Sequence, residues 1–177
     1  MGRTIAIANQ KGGVGKTTTS VNLSAGLAHL GKKTLLIDID PQGNASSGVG
    51  INKKEIEGCI YDVLIDDESM KSYIHETKVE NLSIVPATMS LAGAEIELVS
   101  AISREIRLKR ALDEVKNDYD FIIIDCPPSL GLLTINALTA SDGVLIPVQC
   151  EYYALEGLSQ LLSTVRLVQK HLNKDLV

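Results

Sequence analysis

The sequence predicts an α/β fold in which a mostly parallel β-sheet carries helices on both faces. Short aliphatic runs alternate along the chain with segments of helical apolar spacing, which is the pattern of successive βαβ units. Hydrophobic residues make up 45% of the 177 residues but aromatic residues only 3%, so the core must consist of Ile, Leu, Val and Ala. That composition suits the buried strands of a parallel sheet. No repeat or linker interrupts the pattern, and we expect residues 1–177 to form one domain.

The first half of the chain contains a strand, a glycine-rich loop, a helix and a second strand. Residues 4–8 are a short aliphatic strand, and helical apolar spacing then runs over 16–30. Gly31 is a typical C-cap for that helix, because glycine adopts the left-handed conformation without strain. The second strand is expected at 34–37. Residues 42–58 are rich in Gly, Asn and Ser, which indicates a loop with at most short helices.

The second half of the chain continues the alternation of helices and strands. Ser103 is the expected N-cap of a charged helix that ends near Lys116. The last helix, 154–172, has apolar residues at spacings of three and four, which predicts that one face packs on the sheet. The remaining expected elements are helices near 61–64, 91–99 and 130–138 and strands at 82–85, 121–125 and 143–148.

Charge and cysteine usage exclude several classes of protein. The formal net charge is −5, so the chain as a whole lacks the basic footprint of a nucleic-acid-binding domain. The cysteines Cys59, Cys126 and Cys150 are odd in number and widely spaced, which argues against a disulfide framework or a CxxC metal site. No signal-peptide pattern is present, and no apolar run approaches the roughly 18 residues of a membrane span. We therefore expect a soluble protein of the reducing cytoplasm.

The segment between the first strand and the first helix has the composition of a phosphate-binding loop. The standard pattern is Gly, four residues, Gly-Lys-Ser/Thr. Residues 15–17 match its end, whereas Gln10 takes the position of the first Gly. Glycines let successive backbone N–H groups point at phosphate oxygens, and the following helix adds its positive N-terminal end. Lys16 is expected to reach the β- and γ-phosphates, and the Thr17 hydroxyl to bind Mg²⁺. The expected nucleotide-binding residues are Lys11, Gly12, Gly13, Val14, Gly15, Lys16, Thr17 and Thr18.

Three aspartates at the ends of predicted strands are candidate metal ligands. Asp125 follows Phe-Ile-Ile-Ile, which is the Walker B arrangement, in which a strand-end carboxylate holds Mg²⁺ directly or through water. Asp38 and Asp40 end the second strand, and side chains two residues apart on a strand point the same way. Alone, each aspartate would more simply cap a turn or a helix. Beside a phosphate loop, we expect Thr17, Asp38, Asp40 and Asp125 to form the metal site of a P-loop NTPase-type ATPase.

Four segments of the chain carry a more specific pattern. They are Lys-Gly-Gly-Val-Gly-Lys-Thr-Thr-Thr at 11–19, Leu-Leu-Ile-Asp-Ile-Asp-Pro-Gln-Gly-Asn at 35–44, Ile-Asp-Cys-Pro-Pro-Ser-Leu-Gly at 124–131 and Val-Gln-Cys-Glu-Tyr-Tyr-Ala-Leu-Glu-Gly at 148–157. Together they closely resemble the ParA family, the Soj-like partition ATPases that segregate bacterial chromosomes and plasmids. The resemblance covers essentially the whole chain, and Asp-Pro-Gln-Gly-Asn is its most specific part.

The resemblance implies roles for individual residues. Lys11 matches the signature lysine of the deviant Walker A loop, which in the family crosses a dimer interface to the ATP of the partner. Lys16 and Thr17 match the phosphate and Mg²⁺ residues of the same subunit. Asp40 matches the aspartate that positions the attacking water, and Asp125 matches the Walker B aspartate. The expected catalytic residues are therefore Lys11, Lys16 and Asp40.

The resemblance also implies cofactors and partners. ATP and Mg²⁺ would be the cofactors, and the ATP-bound homodimer would bind DNA non-specifically at the nucleoid, without a membrane. A ParB-type partner would stimulate hydrolysis. Family members continue beyond Val177 into segments that cradle adenine and carry much of the basic surface, so we expect a fragment or short relative with low activity and weak DNA binding. Its last helix would lack a following strand and leave a sheet edge open.

Other proteins with the same loop remain as alternatives. MinD-like division-site ATPases attach to membranes through an amphipathic helix, but the helix 154–172 has few basic residues, and the segment after Asp40 argues against this family. A nitrogenase-iron-protein-like ATPase would hold a cluster through cysteines, whereas Cys126 and Cys150 are better explained as small buried residues near strand ends. A scaffold without nucleotide is the third alternative. Five basic residues of the charged helix could contact DNA, although acidic residues are interleaved with them: Arg104, Arg107, Lys109, Arg110 and Lys116.

Overall fold

The structure, a computed structural model, describes residues 2–150 and 154–177. Its strands are β1 (Arg3–Ile7), β2 (Thr34–Asp38), β3 (His75–Glu76), β4 (Leu82–Val85), β5 (Phe121–Asp125) and β6 (Gly143–Leu145). Its α-helices are α1 (Lys16–His29), α2 (Asn44–Gly48), α3 (Ile60–Ile65), α4 (Ala94–Ser100), α5 (Arg107–Asp113), α6 (Leu132–Ala140) and α7 (Ala154–His171). Short 3₁₀ helices occupy Met70–Tyr73 and Met89–Ala92. Residues 151–153, which belong to the fourth segment of the family resemblance, lie outside the described residues.

The described strands form one six-stranded sheet of order β3-β4-β2-β5-β1-β6. Neighbouring strands are parallel except β3, which pairs antiparallel with β4. The predicted α/β fold with a mostly parallel sheet is therefore confirmed. The sequence pattern does not predict β3, because two residues are too few to show a periodicity. The helix predicted near 91–99 is interrupted at Gly93, where the structure changes from a 3₁₀ helix to α4.

Both faces of the sheet are buried, and successive residues of a strand alternate between them. Leu35 and Ile37 belong to the cluster covered by α3 to α7, whereas Leu36 belongs to the cluster covered by α1 and α2. The same alternation separates Ile122 from Ile123 on β5. Aliphatic side chains at every strand position thus produce the unbroken apolar runs seen in the sequence.

The register of the central strands brings three strand ends to one edge of the sheet. Ile7 of β1 lies beside Asp125 of β5, and Asp38 of β2 lies beside Asp125 on the other side. The segments that follow these strands therefore start close together. This is the edge at which ligands bind in open α/β sheets.

The charged helix is shorter than predicted, and Ser103 is not its N-cap. Ser103 has a φ of 55°, and α5 begins only at Arg107. The side chain of Asn136 on α6 accepts a hydrogen bond from the Leu108 amide at 3.1 Å and donates one to the Arg104 carbonyl at 2.7 Å. A side chain from a helix later in the chain thus accepts the hydrogen bond of an amide in the first turn of α5. The local sequence around α5 cannot reveal this partner.

The segment after β6 and the cysteine within it also differ from expectation. The strand ends at Leu145 rather than Val148, because Pro147 lacks a backbone N–H and disfavours continued pairing. Cys150 is exposed, so its prediction as a buried residue is wrong, whereas Cys126 is buried as predicted.

The last helix packs on the sheet side as predicted, and the chain after it returns to β6. Leu161, Val165 and Val168 are buried in the core. The Val177 N–H donates to the Asp142 carbonyl at 3.1 Å, and the Val144 N–H donates to the Val177 carbonyl at 2.8 Å, which is the pattern of a parallel bridge. The outer edge of β6 is therefore partly covered, not open as expected. None of the helices in residues 2–150 and 154–177 combines the length and hydrophobicity of a membrane-spanning segment.

Candidate functional site

The loop between β1 and α1 is held in shape by its glycines and by the segment after β6. Gly13 and Gly15 have φ values of 74° and 92°, in the left-handed region where glycine is unstrained. The Asn9 side chain donates to the Pro147 carbonyl at 2.8 Å and accepts from the Lys11 amide at 3.1 Å. The Gln149 side chain donates to the Gly13 carbonyl at 3.2 Å. Neither anchor was predicted, because each joins positions more than 130 residues apart.

Lys16 lies at the start of α1 with its ammonium turned into the loop. Its Nζ donates to the Lys11 carbonyl at 3.0 Å, and the side chain is buried. Burial lowers the pKa of Lys16, and the nearby carboxylates of Asp125 and Asp40 oppose that shift. A buried cation of this kind favours an anion in the loop, since an anion would complete its solvation.

Asp125 joins the end of β5 to the first turns of α1. Its Oδ2 accepts a hydrogen bond from the Thr17 hydroxyl at 2.8 Å, and its Oδ1 accepts one from the Ser20 hydroxyl at 2.7 Å. Burial raises the pKa of Asp125, and the bonds from Ser20 and Thr17 oppose that rise. Ser20 is absent from the predicted site, although it lies one turn after Lys16 and Thr17 on the same helix face. Helical spacing applied to the loop lysine could have identified it.

Asp38 is buried among backbone and hydroxyl donors rather than at the loop. Its Oδ2 accepts hydrogen bonds from the Ser46 amide at 2.8 Å and the Ser46 hydroxyl at 2.7 Å, and its Oδ1 accepts one from the Asp40 amide at 3.1 Å. Ser46 Oγ in turn accepts from the Ala87 amide at 3.0 Å. Burial raises the pKa of Asp38 to about 6. These bonds favour the capping role left open by the sequence over a metal-ligand role.

Asp40 faces the loop from a tight turn. Its Oδ1 accepts from the Gln42 amide at 2.9 Å, and its carbonyl accepts from the Gly43 amide at 2.8 Å. Gly43 has a φ of 61°, and a Cβ at this position would lie 2.6 Å from the Ala87 carbonyl oxygen. The Pro-Gln-Gly sequence after Asp40 therefore has a geometric basis, because only glycine fits this turn.

Two open clefts flank the loop and share Pro128. The first is lined by Gly12, Gly13, Gly15, Lys16, Thr17, Thr18, Asp40, Gln42, Asn44 and Pro128. The second contains Lys11, with Gln10, Pro128, Ser129, Leu130, Gly157 and Gln160. The structure thus brings Lys16, Thr17 and Asp40 to one cleft and Lys11 to its neighbour. Within the described residues, no three His, Cys, Asp or Glu side chains form a cluster suited to a metal ion.

The basic residues near α5 are largely paired with acidic or carbonyl groups. Arg104 pairs with Glu105 at 2.9 Å, Arg110 with Asp67 at 3.7 Å and Lys116 with Asp113. Arg107 donates to the carbonyls of Leu64 and Ile65 at the end of α3, at 2.7 and 3.0 Å. Because most of these cations already have partners within the protein, this region is better explained as a solvated surface than as a DNA-binding surface.

Comparison with known proteins decides the family. A family model described as AAA domain matches residues 2–177. The chain is 73% identical over 177 residues to the sporulation initiation inhibitor protein Soj of Bacillus subtilis and covers 70% of that protein. It is 59% identical over 176 residues to the chromosome partitioning protein ParA of Myxococcus xanthus, covering 99% of this chain and 62% of that protein. The chain belongs to the Soj/ParA family of partition ATPases. The resemblance and the predicted ATPase class are confirmed.

A solved structure shares the fold of this chain. A crystal structure of cobyrinic acid a,c-diamide synthase from Mycobacterium smegmatis, with a bound ATP analogue and magnesium, superposes with a TM-score of 0.95. It is 43% identical and covers 99% of this chain and 72% of that chain. Its name describes a reaction different from partition, so the likeness concerns the fold rather than the overall activity.

Proposed function

We propose that this Soj/ParA chain binds ATP with Mg²⁺ in the first cleft and hydrolyses it to drive chromosome or plasmid partition. The observation that carries the proposal is the pair of hydrogen bonds that tie Asp125 to Thr17 and Ser20, in the first turns of the helix that begins at Lys16. A nucleoside triphosphate with bound Mg²⁺ needs oxygen ligands for the metal and a cation for its phosphates. The hydroxyl, the strand-end carboxylate and the buried lysine supply these groups.

Each group in the cleft has a proposed task. Lys16 would neutralise the β- and γ-phosphates, and the N–H groups of Gly13 and Gly15 would bind phosphate oxygens. Thr17 and Asp125 offer the oxygen donors that Mg²⁺ prefers, and bound Mg²⁺ would offset charge on the transferred phosphoryl group. Asp40, which lines the cleft, would orient the attacking water. Asp38 would act by fixing the turn that presents Asp40, since it accepts the Asp40 amide.

Lys11 would act across an interface between two subunits. Its position in the neighbouring cleft, beside Pro128 and Ser129, supports a role outside the first phosphate cleft. An ATP-dependent homodimer that binds DNA non-specifically and responds to a ParB-type partner completes the proposal, with the protein in the cytoplasm at the nucleoid. The net charge of −5 supports only weak DNA binding by these 177 residues, because electrostatic attraction dominates non-specific affinity.

The test is nucleotide binding and association measured on three proteins. Wild type is titrated with labelled ATP and Mg²⁺, and light scattering follows its association. Lys11→Ala should keep ADP affinity but lose ATP-dependent dimerisation, because it removes only the group that serves the partner. Asp40→Ala should keep ATP affinity but hydrolyse slowly, so its ATP-bound dimer should last longer. ATP binding that is absent in wild type, or normal ATP-dependent dimerisation by Lys11→Ala, would contradict the proposal.

A further inference from the structure

The N-terminus of α6 is capped by a side chain from another helix. Gly131, which precedes the helix, has no side chain to accept its first amides. Glu95 of α4 takes this place: its Oε2 accepts from the Leu132 amide at 3.3 Å, and its Oε1 accepts from the Leu133 amide at 3.4 Å. The first amides of a helix lack partners within the helix, and the N-terminal end of the helix dipole attracts a carboxylate. Glu95 therefore binds α6 through both hydrogen bonds and charge.

The glycine before α6 makes room for this carboxylate. A Cβ on Gly131 would lie 2.2 Å from Glu95 Oε2 and 2.4 Å from Oε1. The φ of Gly131 is −78°, which any residue adopts without strain, so backbone conformation does not require glycine here. An alanine at 131 would push the flexible carboxylate away while leaving the backbone free to keep its path.

The capped helix end is also the end of a loop at the proposed nucleotide site. Residues 126–131 run from Asp125 to α6, and Pro128 in this loop lines both the phosphate cleft and the cleft of Lys11. The Thr134 hydroxyl donates to the Ser129 carbonyl at 2.8 Å and supports the same loop. A shift in the start of α6 would therefore move the wall of both clefts.

We propose that Glu95 is a positioning residue that holds loop 126–131 in place by accepting hydrogen bonds from the first two amides of α6. The proposal rests on the proposed function, in which the first cleft takes ATP. Glu95 does not line the first cleft, and its side chain bonds to the start of α6, so its loss should lower turnover more than nucleotide affinity. The phosphate loop itself remains anchored through Asn9 and Gln149.

The experiment compares Glu95→Ala, Glu95→Gln, Gly131→Ala and the double variant Glu95→Ala/Gly131→Ala with wild type. Glu97→Ala is the matched control, since Glu97 lies on the same helix and accepts from the Tyr61 hydroxyl instead. Three quantities are measured on each protein: hydrogen exchange of the Leu132 and Leu133 amides, ATP affinity, and turnover. Hydrogen exchange measures how well the Leu132 and Leu133 amides are protected, independently of catalysis.

Glu95→Ala should speed exchange of these two amides roughly 3- to 30-fold, the factor expected for a lost helix cap. Turnover should fall roughly 10-fold, since small misplacement of a site wall is costly, while ATP affinity stays near wild type. Glu95→Gln should lie between wild type and alanine because it keeps a carbonyl acceptor but not the charge. Gly131→Ala should match Glu95→Ala, and the double variant should be no worse than either.

Several outcomes would overturn the inference. If these amides exchanged at the wild-type rate in Glu95→Ala, Glu95 would not stabilise the start of α6. A parallel loss of ATP affinity and turnover would assign Glu95 a general structural role. Additive effects in the double variant, or the same defects in Glu97→Ala, would also count against it. A wild-type chain that binds no ATP would instead refute the proposed function, and the exchange measurement would still decide whether Glu95 holds α6.

Discussion

Two aspartates that lie side by side in the sheet have opposite surroundings. Asp38 ends β2 and Asp125 ends β5, and the two are paired in register. Asp125 is bonded by two hydroxyls of α1, the helix that follows the phosphate loop, whereas Asp38 is bonded by Ser46 of α2. Burial raises the pKa of both carboxyls. A strand-end aspartate therefore belongs to the site or to the scaffold according to the helix that packs beneath it.

The ammonium of Lys16 interacts electrostatically with the carboxylates of both Asp125 and Asp40. Lys16→Ala should weaken ATP binding about 100-fold or more, because truncating a buried charge partner of phosphate costs several kcal/mol. Titration with labelled ATP measures the loss, and Lys32→Ala, at an exposed position between α1 and β2, is the control. Affinity within a few-fold of wild type would remove the phosphate loop, and with it Asp125, from the proposed site.

The scaffold side of the comparison is tested at Ser46. Ser46→Ala should lower the free energy of unfolding by about 3 kcal/mol, because it removes a hydrogen bond to Asp38 and leaves the buried Ala87 amide without its acceptor. Urea denaturation measures this change. Ser47→Ala is the control, since Ser47 is exposed and bonds only to the preceding turn. Equal stability of the two variants would mean that Asp38 does not depend on this network.

The two aspartates themselves should differ in turnover. Asp125→Asn should reduce ATP hydrolysis about 10- to 100-fold, the usual loss when a group that orients a bound metal is neutralised. Asp38→Asn should hydrolyse ATP at close to the wild-type rate, since Asp38 is bonded to Ser46 and to the Asp40 amide rather than to Thr17, and Asn keeps an oxygen that can accept from the Asp40 amide. Steady-state phosphate release compares them after circular dichroism has verified that both are folded. A comparable loss in Asp38→Asn would show that turnover depends on Asp38 as strongly as on Asp125, either as a metal ligand or through the turn that presents Asp40.

The smallest expected effect is a pH dependence of stability that belongs to Asp38. Its folded pKa of about 6 exceeds the ordinary value of 3.8, so between pH 4 and 6 the unfolded chain loses this proton before the folded chain does. Stability from this group is therefore lost as the pH rises through that window, by about 2 kcal/mol. Asp38→Asn should flatten the wild-type decline measured by denaturation from pH 4 to 7. An unchanged slope would show that Asp38 does not keep its proton in the fold.

The sequence by itself determined five of the six described strands, the first and last helices and the phosphate loop. These features depend on neighbours in the chain: aliphatic runs, helical spacing, and glycines whose positive φ values shape a loop. Lys16, Thr17 and Asp125 could be chosen because the phosphate loop follows one strand and Asp125 ends another, which brings all three to one sheet edge.

Only the tertiary structure decided which polar groups meet. Four of these contacts join residues between 8 and 105 positions apart in the chain. They are the bond of Ser20 to Asp125, the bond of Ser46 to Asp38, the cap of α5 by Asn136 and the cap of α6 by Glu95. Apart from Ser20, which helical spacing from Lys16 could have identified, such pairs leave no local pattern, because a buried donor needs an acceptor but places no requirement on where in the chain it comes from. Packing of the helices on the sheet chooses the partner, and that choice separates a binding aspartate from a structural one.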